Sequence, residues 1–367
     1  MAFLTARSLA TYLLRQGLIT PASVVCDDLV IEDAAQRNSN FKVIRKHGPS
    51  YLLKQGVDAE RIVSIEREAQ IYALLRSLPD AREIRRYLPR LYRYDPVAHV
   101  LILQLLRNAR DLKTYHAEGH PFSARHAVAL GEAVATIHQI SIDQLNTTSH
   151  FNVDLPWVLT LHRPDVTVFR NISAANLELI TAIQQTPEFG DLLDELLEQW
   201  QTAALIHSDL RWSNWLLCKS SRSVRQVKLK IVDWELASIG DPRWDVASLL
   251  SEYLSWWLIC IPTVAVESPN SISEPVLRKL ATMQNSIRSF WRQYCRSMDF
   301  ALATRHDFLL LSVRFAAVRL IQTAYEELQA SWRLNAVAVR LLQLSFNVLK
   351  HPEHAITRLL GFPPKAW

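Results

Sequence analysis

The sequence predicts an α+β fold in two lobes, a small antiparallel β-rich N-terminal lobe with one key helix and a large, mainly helical C-terminal lobe. Three observations predict it. Short apolar and β-branched runs separated by turn signals occupy residues 23–106. One strong helical pattern interrupts them at Ile62–Leu78, where Ile65, Ala69, Tyr72 and Leu75 recur three to four residues apart. Beyond Arg107, apolar positions keep helical spacing almost to the C-terminus. With 367 residues, 49% hydrophobic and 21% charged, the chain can bury a substantial core.

The elements follow in order. Leu4, Leu9, Leu13 and Leu14 mark a leading helix within residues 3–19, stopped by Thr20-Pro21, so that residues 1–22 form an N-terminal helical extension. Ser23–Asp33 is β-rich. Ala34–Asn40 is polar and reads as a loop. Phe41–Arg45 and Ser50–Gln55 flank the break His47-Gly48-Pro49, and Arg90–Tyr94 and His99–Leu105 flank Asp95-Pro96. The N-terminal lobe is thus 23–106, joined near Arg107 by a hinge without a long linker. In the second lobe, 107–367, helices are expected at Phe122–Ile140, Ala174–Ala203, 246–260, 275–298, 304–330 and 332–348. Residues 204–217 and 227–236 read as short β or loop segments. No repeat is evident.

Composition narrows the function. Formal net charge is +5, too small an excess for this length to mark a nucleic-acid binder. Cys26, Cys218, Cys260 and Cys295 fit neither a zinc site nor a disulfide framework, which suits a reducing cytoplasm. Arg7 and Arg15 interrupt the N-terminus, making it a poor signal peptide. The apolar stretch Leu249–Val266 contains Glu252 and Pro262 and reads as buried or pocket-lining, so no membrane association is expected. Eight glycines make a Gly-rich phosphate loop doubtful.

Two clusters carry chemistry. The first, Leu205-Ile206-His207-Ser208-Asp209-Leu210-Arg211-Trp212-Ser213-Asn214, places Asn214 five residues after Asp209. The second, Leu229-Lys230-Ile231-Val232-Asp233-Trp234-Glu235, presents Asp233 at a strand end. A hairpin turning at Lys219–Arg225 would bring Asn214 and Asp233 to the same end. A carboxylate and an amide oxygen suit hard Mg²⁺, and a second carboxylate can take the proton of an acceptor hydroxyl. Upstream, Lys54 ends an apolar strand. Glu68 sits on or beside the apolar stripe of the 62–78 helix, where a carboxylate needs a cationic partner. Glu66 is its nearby rival.

Lys54, Glu68, His207-x-Asp209-x-x-x-x-Asn214, Asp233-Trp234-Glu235 and Gly240-Asp241-Pro242-x-x-Asp245 together resemble the protein-kinase-like superfamily, in its aminoglycoside phosphotransferase/choline-kinase-like branch. The short path from Asp233 to Asp245 leaves no room for a protein-kinase activation segment. The resemblance implies a bilobal protein-kinase-like fold and an ATP- and Mg²⁺-dependent transfer to a hydroxyl, with GTP the alternative nucleotide. It implies that Asp209 is the catalytic base, that Asn214 and Asp233 are Mg²⁺ ligands, and that Lys54 and Glu68 anchor phosphate. His207 and Asp245 would support the catalytic loop, 205–217, with the metal segment at 229–245. Gln104, Leu105 and Leu106 would meet adenine. Asn38 and Asn40 would lie in the phosphate-covering loop, which departs from the usual pattern in lacking glycine. Gln104 stands where an acid is common.

For the acceptor, helices 246–348 are the candidate binding region, with Arg211, Trp212, Trp256 and Trp257 as candidate contacts. Core packing is the alternative for the Trp256-Trp257 pair. Residues 246–367 hold thirteen Lys/Arg against eight Asp/Glu, which leans against a polycationic acceptor. The leading helix and Ser173-Ala-Ala-Asn-Leu-Glu-Leu-Ile180 resemble, more weakly, phosphotransferase-type kinases of class V lanthipeptide and thioamitide clusters. That implies Ser/Thr of a precursor peptide as acceptor and a lyase or cyclase partner. A small-molecule hydroxyl kinase and an inactive nucleotide-binding partner protein are the other readings. The basic run Arg82, Arg85, Arg86, Arg90 and Arg93 reads as a solvated face.

Overall fold

The computed structural model describes residues 3–33, 39–146, 155–218, 227–261 and 274–363. The chain divides into two compact units. One is built from Met1–Leu112 and Ser213–Ala237, the other from Lys113–Thr147, Phe151–Trp212 and Ser238–Trp367. The sequence reading assigned everything after 106 to the second lobe. Residues 213–237 group with the first unit because their strands pair with a strand at Ala109–Asp111.

In the first unit, helix α1 (Ala6–Arg15) starts at a Thr5–Ser8 capping box. Gly17, at φ 68°, ends it: the Gly17 and Leu18 N–H groups turn back to Leu14 and Leu13 carbonyls. The helix therefore stops well before Thr20-Pro21. That pair instead opens α2 (Pro21–Val25), with Thr20 as N-cap and Pro21 in the first turn, so the expected strand Ser23–Asp33 shrinks to β1 (Leu29–Asp33).

Strands β1, β2 (Ser39–Arg45), β3 (Tyr51–Gln55), β4 (Leu91–Asp95) and β5 (Val100–Gln104) form an antiparallel sheet in the order β1-β2-β3-β5-β4. Ser39 and Asn40, expected in a loop, are the first residues of β2, and Asn40 pairs opposite Lys54. Leu9 and Leu13 of α1 pack fully buried against Phe41, Val43, Leu53, Val100 and Ile102. Each such leucine contributes roughly 1.5–3 kcal/mol. Helix α3 (Ala59–Ser77) starts at Asp58, whose carboxylate accepts from Arg61 N–H, and buries Ile65, Ala69, Tyr72 and Leu75 as the pattern requires. A second sheet joins β6 (Ala109–Asp111), β8 (Trp215–Cys218) and β9 (Lys228–Ile231).

Among its described residues the second unit has one strand pair, β7 (Ala204–Ile206) with β10 (Ser238–Gly240), and is otherwise mainly helical. Its helices are α4 (Leu112–Ala117), which begins on the last residue of the first unit, then α5 (Ala124–His138), α6 (Ile142–Asn146), α7 (Ala174–Gln184), α8 (Pro187–Glu198), α9 (Pro242–Ile259), α10 (Glu274–Ser297), α11 (Leu302–Glu327) and α12 (Ala336–Lys350). The single helix expected over Ala174–Ala203 is two, because Pro187 cannot continue α7 and opens α8. Helix α9 starts at Pro242, with Asp241 as N-cap, and buries Leu249, Leu250 and Leu254. Residues 262–266 of the Leu249–Val266 stretch lie outside the described residues. Among the described residues α11 alone is long and apolar enough to cross a membrane, and 67% of that window is buried. It packs between α9 and α12 as a core helix, with Arg314 and Arg319 buried within it.

Candidate active site

The first unit assembles an ionic triangle. β3 delivers Lys54, whose ammonium lies 2.9 and 2.8 Å from the two Glu68 oxygens and 2.8 Å from Asp233 Oδ1. Glu68, not the exposed Glu66, makes the contact, because position 68 shares the buried face of α3 with Ile65 and Tyr72. Burial works to depress the Lys54 ammonium, but Glu68 and Asp233 outweigh it and hold it protonated above the ordinary lysine range. Burial pushes the Glu68 carboxyl up to about 7 against the pull of Lys54. Further contacts pin α3 to the segment after Asp233: Ser64 donates to Glu235, and Arg67 Nη2 donates to Ala237 O at 3.1 Å.

Asp233 itself sits in the left-handed region, φ 70° and ψ 57°, at the end of β9. The β8–β9 register pairs Trp215 with Ile231, and Val232 N–H donates to Asn214 O at 3.1 Å. Asn214 and Asp233 therefore emerge at the same end of the paired strands β8 and β9, as the sequence predicts, while the turn expected at Lys219–Arg225 lies outside the described residues. The Asp233 side chain is 42% exposed and Asn214 is 6% exposed. One carboxylate and one amide oxygen form a donor set that fits Mg²⁺, which retains waters and asks few protein ligands.

At the end of β5, Leu105 N–H donates to Ser50 O and Leu106 O accepts from Ala109 N–H. Gln104 N–H donates to Arg90 O, and the Gln104 side chain accepts from Arg90 N–H. Gln104 and Leu105 thus both spend their N–H groups within the first unit, leaving Leu106 as the stronger candidate to donate to adenine. Asn38 lies outside the described residues. Asn40 Oδ1 is buried and has no hydrogen-bond partner among them.

The second unit holds the Asp209 loop. Asp245 accepts the backbone N–H groups of His207 at 2.8 Å and Ser208 at 3.0 Å, and lies 3.4 Å from His138 Nε2. His207 is fully buried, and its Nδ1 takes Asp209 N–H at 3.3 Å. Ser208 is left-handed, φ 68°, and is held there by Trp244 Nε1 on its carbonyl and Ser238 on its hydroxyl. His207 and Asp245 thus tie down the loop backbone. Burial works to raise the Asp209 carboxyl, but the Arg211 and Arg319 guanidiniums outweigh it and hold it below the ordinary range.

Trp212 corrects an expectation. It is 1% exposed, and its indole packs with His116, Phe122, Tyr253 and Trp256. It supports the wall and presents no face to a substrate. Its backbone N–H donates to Glu252 Oε2 at 2.8 Å, a carboxyl that burial raises. Trp256 and Trp257 are half-buried. Sequence reasoning missed Arg319, Gln322 and Glu326 of α11 and the role of Glu252. The available signal was an arginine amid the apolar run of α11, since a buried charge demands a partner.

Comparison with known sequences and structures decides the family. Residues 31–267 match the profile of the phosphotransferase enzyme family (APH). The chain belongs to that family. The match spans this APH protein's β-sheet, Lys54, Glu68, the Asp209 loop, Asp233 and Asp245. A 4-hydroxytryptamine kinase from Psilocybe cyanescens is 24% identical over 232 residues, 59% of this chain and 62% of that protein's length. An aminoglycoside 2'-phosphotransferase-IIIa, solved with GDP, matches 94% of this chain and 99% of its own at a TM-score of 0.55 and 14% identity. A macrolide 2'-phosphotransferase type I matches 93% and 99% at 0.52 and 15%. The fold is therefore the protein-kinase-like fold of these enzymes.

Proposed function

We propose that this APH protein transfers the γ-phosphate of ATP to a hydroxyl of a small molecule. The Lys54–Glu68–Asp233 triangle carries the reading. A lysine aimed by one buried and one half-exposed carboxylate is a point charge poised for phosphate oxygens. Asn214 and Asp233 would hold Mg²⁺, which when bound neutralises charge on the phosphates. Asp209, kept ionised, would orient the acceptor hydroxyl and take its proton. The kinase activity of the Psilocybe relative and the GDP bound to the aminoglycoside enzyme support nucleotide-dependent transfer.

Two features prompted a peptide acceptor, and packing accounts for both. The leading helix buries Leu9 and Leu13 in the sheet core. Ser173 caps α7 by accepting Asn176 N–H and ties it to Leu328 O, while Asn176 is 1% exposed. The test incubates the protein with Mg-ATP and, side by side, small hydroxyl compounds (amino alcohols, hydroxyindoles, sugars) and Ser/Thr peptides. The expected outcome is a phosphate mass increment on a small molecule. Phosphorylation of peptides alone would overturn the acceptor class. Nucleotide binding without turnover on any acceptor would favour an inactive partner protein.

A further inference from the structure

Four side chains of the second unit close a ring through Asp209. Arg211 Nε lies 2.9 Å from Asp209 Oδ1 and 2.8 Å from Oδ2. Arg319 Nη2 donates to Oδ1 at 3.2 Å, and its Nη1 donates to Gln322 Oε1 at 2.9 Å. Gln322 Nε2 donates to Glu326 Oε1 at 2.9 Å. The Glu326 carboxylate takes both terminal nitrogens of Arg211, at 2.9 and 3.0 Å, which returns the ring to Asp209. Positions 319, 322 and 326 share one face of α11 by their spacing.

We propose that Arg319, Gln322 and Glu326 are positioning residues for phosphoryl transfer, fixing the Asp209 carboxylate in one orientation from a rigid helix. The proposal rests on Asp209 receiving the acceptor proton. Arg319 is 5% exposed and lies over the Trp244 ring at 5.4 Å, so its guanidinium has little freedom. The Arg211–Glu326 contact is a two-pronged fork, which fixes direction as well as distance. A carboxylate on a mobile loop would lose that aim, and misplacing a reacting group by about 1 Å costs about 100-fold in rate.

The titratable and charged groups facing Asp209 are Arg211 and His207 from its own loop and Arg319 from α11. Glu252 of α9 opposes them, and Glu326 acts through Arg211. Removing Arg319 therefore lets Asp209 take up a proton more easily. Removing the charge of Glu326 leaves Arg211 less neutralised and acts in the opposite direction.

The test compares kcat, the KM for ATP and the pH profile of kcat in Arg319→Ala, Arg319→Lys, Glu326→Gln and Asp209→Asn. Arg319→Ala is expected to lower kcat about 100-fold with little change in KM, and to move the acid limb to higher pH. Arg319→Lys recovers part of the loss, because an ammonium restores the charge but not the fork. Glu326→Gln lowers kcat and moves the acid limb down or not at all. If Asp209→Asn is inactive while the Arg319 and Glu326 variants keep the wild-type kcat and acid limb, the ring proposal fails alone. Full activity of Asp209→Asn removes the reading beneath it, and the proposal with it. Should Arg319→Ala not fold, Glu326→Gln decides, since that side chain is 31% exposed; an unchanged kcat and profile overturns the proposal.

Discussion

Asp209→Asn is expected to lower kcat by about 10²–10⁴-fold, the range for loss of a positioned general base, while ATP binding changes little. The substitution keeps the shape of the side chain and removes the charge that takes the proton. It also places an amide donor against Arg211 Nε and weakens the hold on Arg319, which is 5% exposed. Leaving the buried Arg319 without its carboxylate partner destabilises the fold by about 3–5 kcal/mol, so unfolding and turnover are measured on the same sample. Turnover within tenfold of wild type in a folded Asp209→Asn protein would remove Asp209 from the mechanism.

Lys54→Met has the second large effect, on rate and stability together. Loss of one preorganised cation at the phosphates is expected to cost about 10²–10³-fold in kcat/KM. Breaking a buried ion pair costs about 3–5 kcal/mol because the partner charge stays behind. The pH dependence follows from Glu68. Its carboxyl stands at about 7 in the fold, above the ordinary range. A raised carboxyl contributes its stability in full below about pH 4.5, and loses it as the pH rises through 7. That position already includes the pull of Lys54; in Lys54→Met the carboxyl rises further, and the loss deepens toward higher pH. Urea unfolding should show the variant close to wild type at pH 5 and increasingly weaker toward pH 8.5. Lys54→Met/Glu68→Leu should regain stability without regaining rate. A double variant as unstable as the single one would contradict the account of the pair.

The fold was legible where one local signal dominated. The period of α3, the β2–β3 and β4–β5 breaks and the β8–β9 pairing all appear where the residues put them, and that pairing sets Asn214 and Asp233 at one end. The errors arose where two signals competed. Val24 and Val25 favour a strand, yet Thr20, Pro21 and Ser23 together cap a short helix over them. The leucines around Ala174–Ala203 run continuously, yet Pro187 divides them. In the site, Lys54, Glu68, Asp209, Asn214 and Asp233 were legible because each is a charge or amide set at the edge of an apolar run. Arg319, Gln322 and Glu326 were not. They lie more than a hundred residues from Asp209, and only tertiary packing of α11 brings them to it. Trp212 was misread because an aromatic beside a catalytic loop looks alike in sequence whether it faces a ligand or the core.

The central claim is that Asp233 and Asn214 hold a divalent cation on a nucleotide aimed by Lys54. Calorimetric titration of ATP into wild type and Asp233→Asn, each with and without Mg²⁺, tests it most directly. The account predicts that Mg²⁺ tightens ATP binding at least about tenfold, ~1.4 kcal/mol, in the wild type, and that Asp233→Asn abolishes the gain. Equal affinity with and without Mg²⁺ in the wild type, or an undiminished gain in Asp233→Asn, would contradict it.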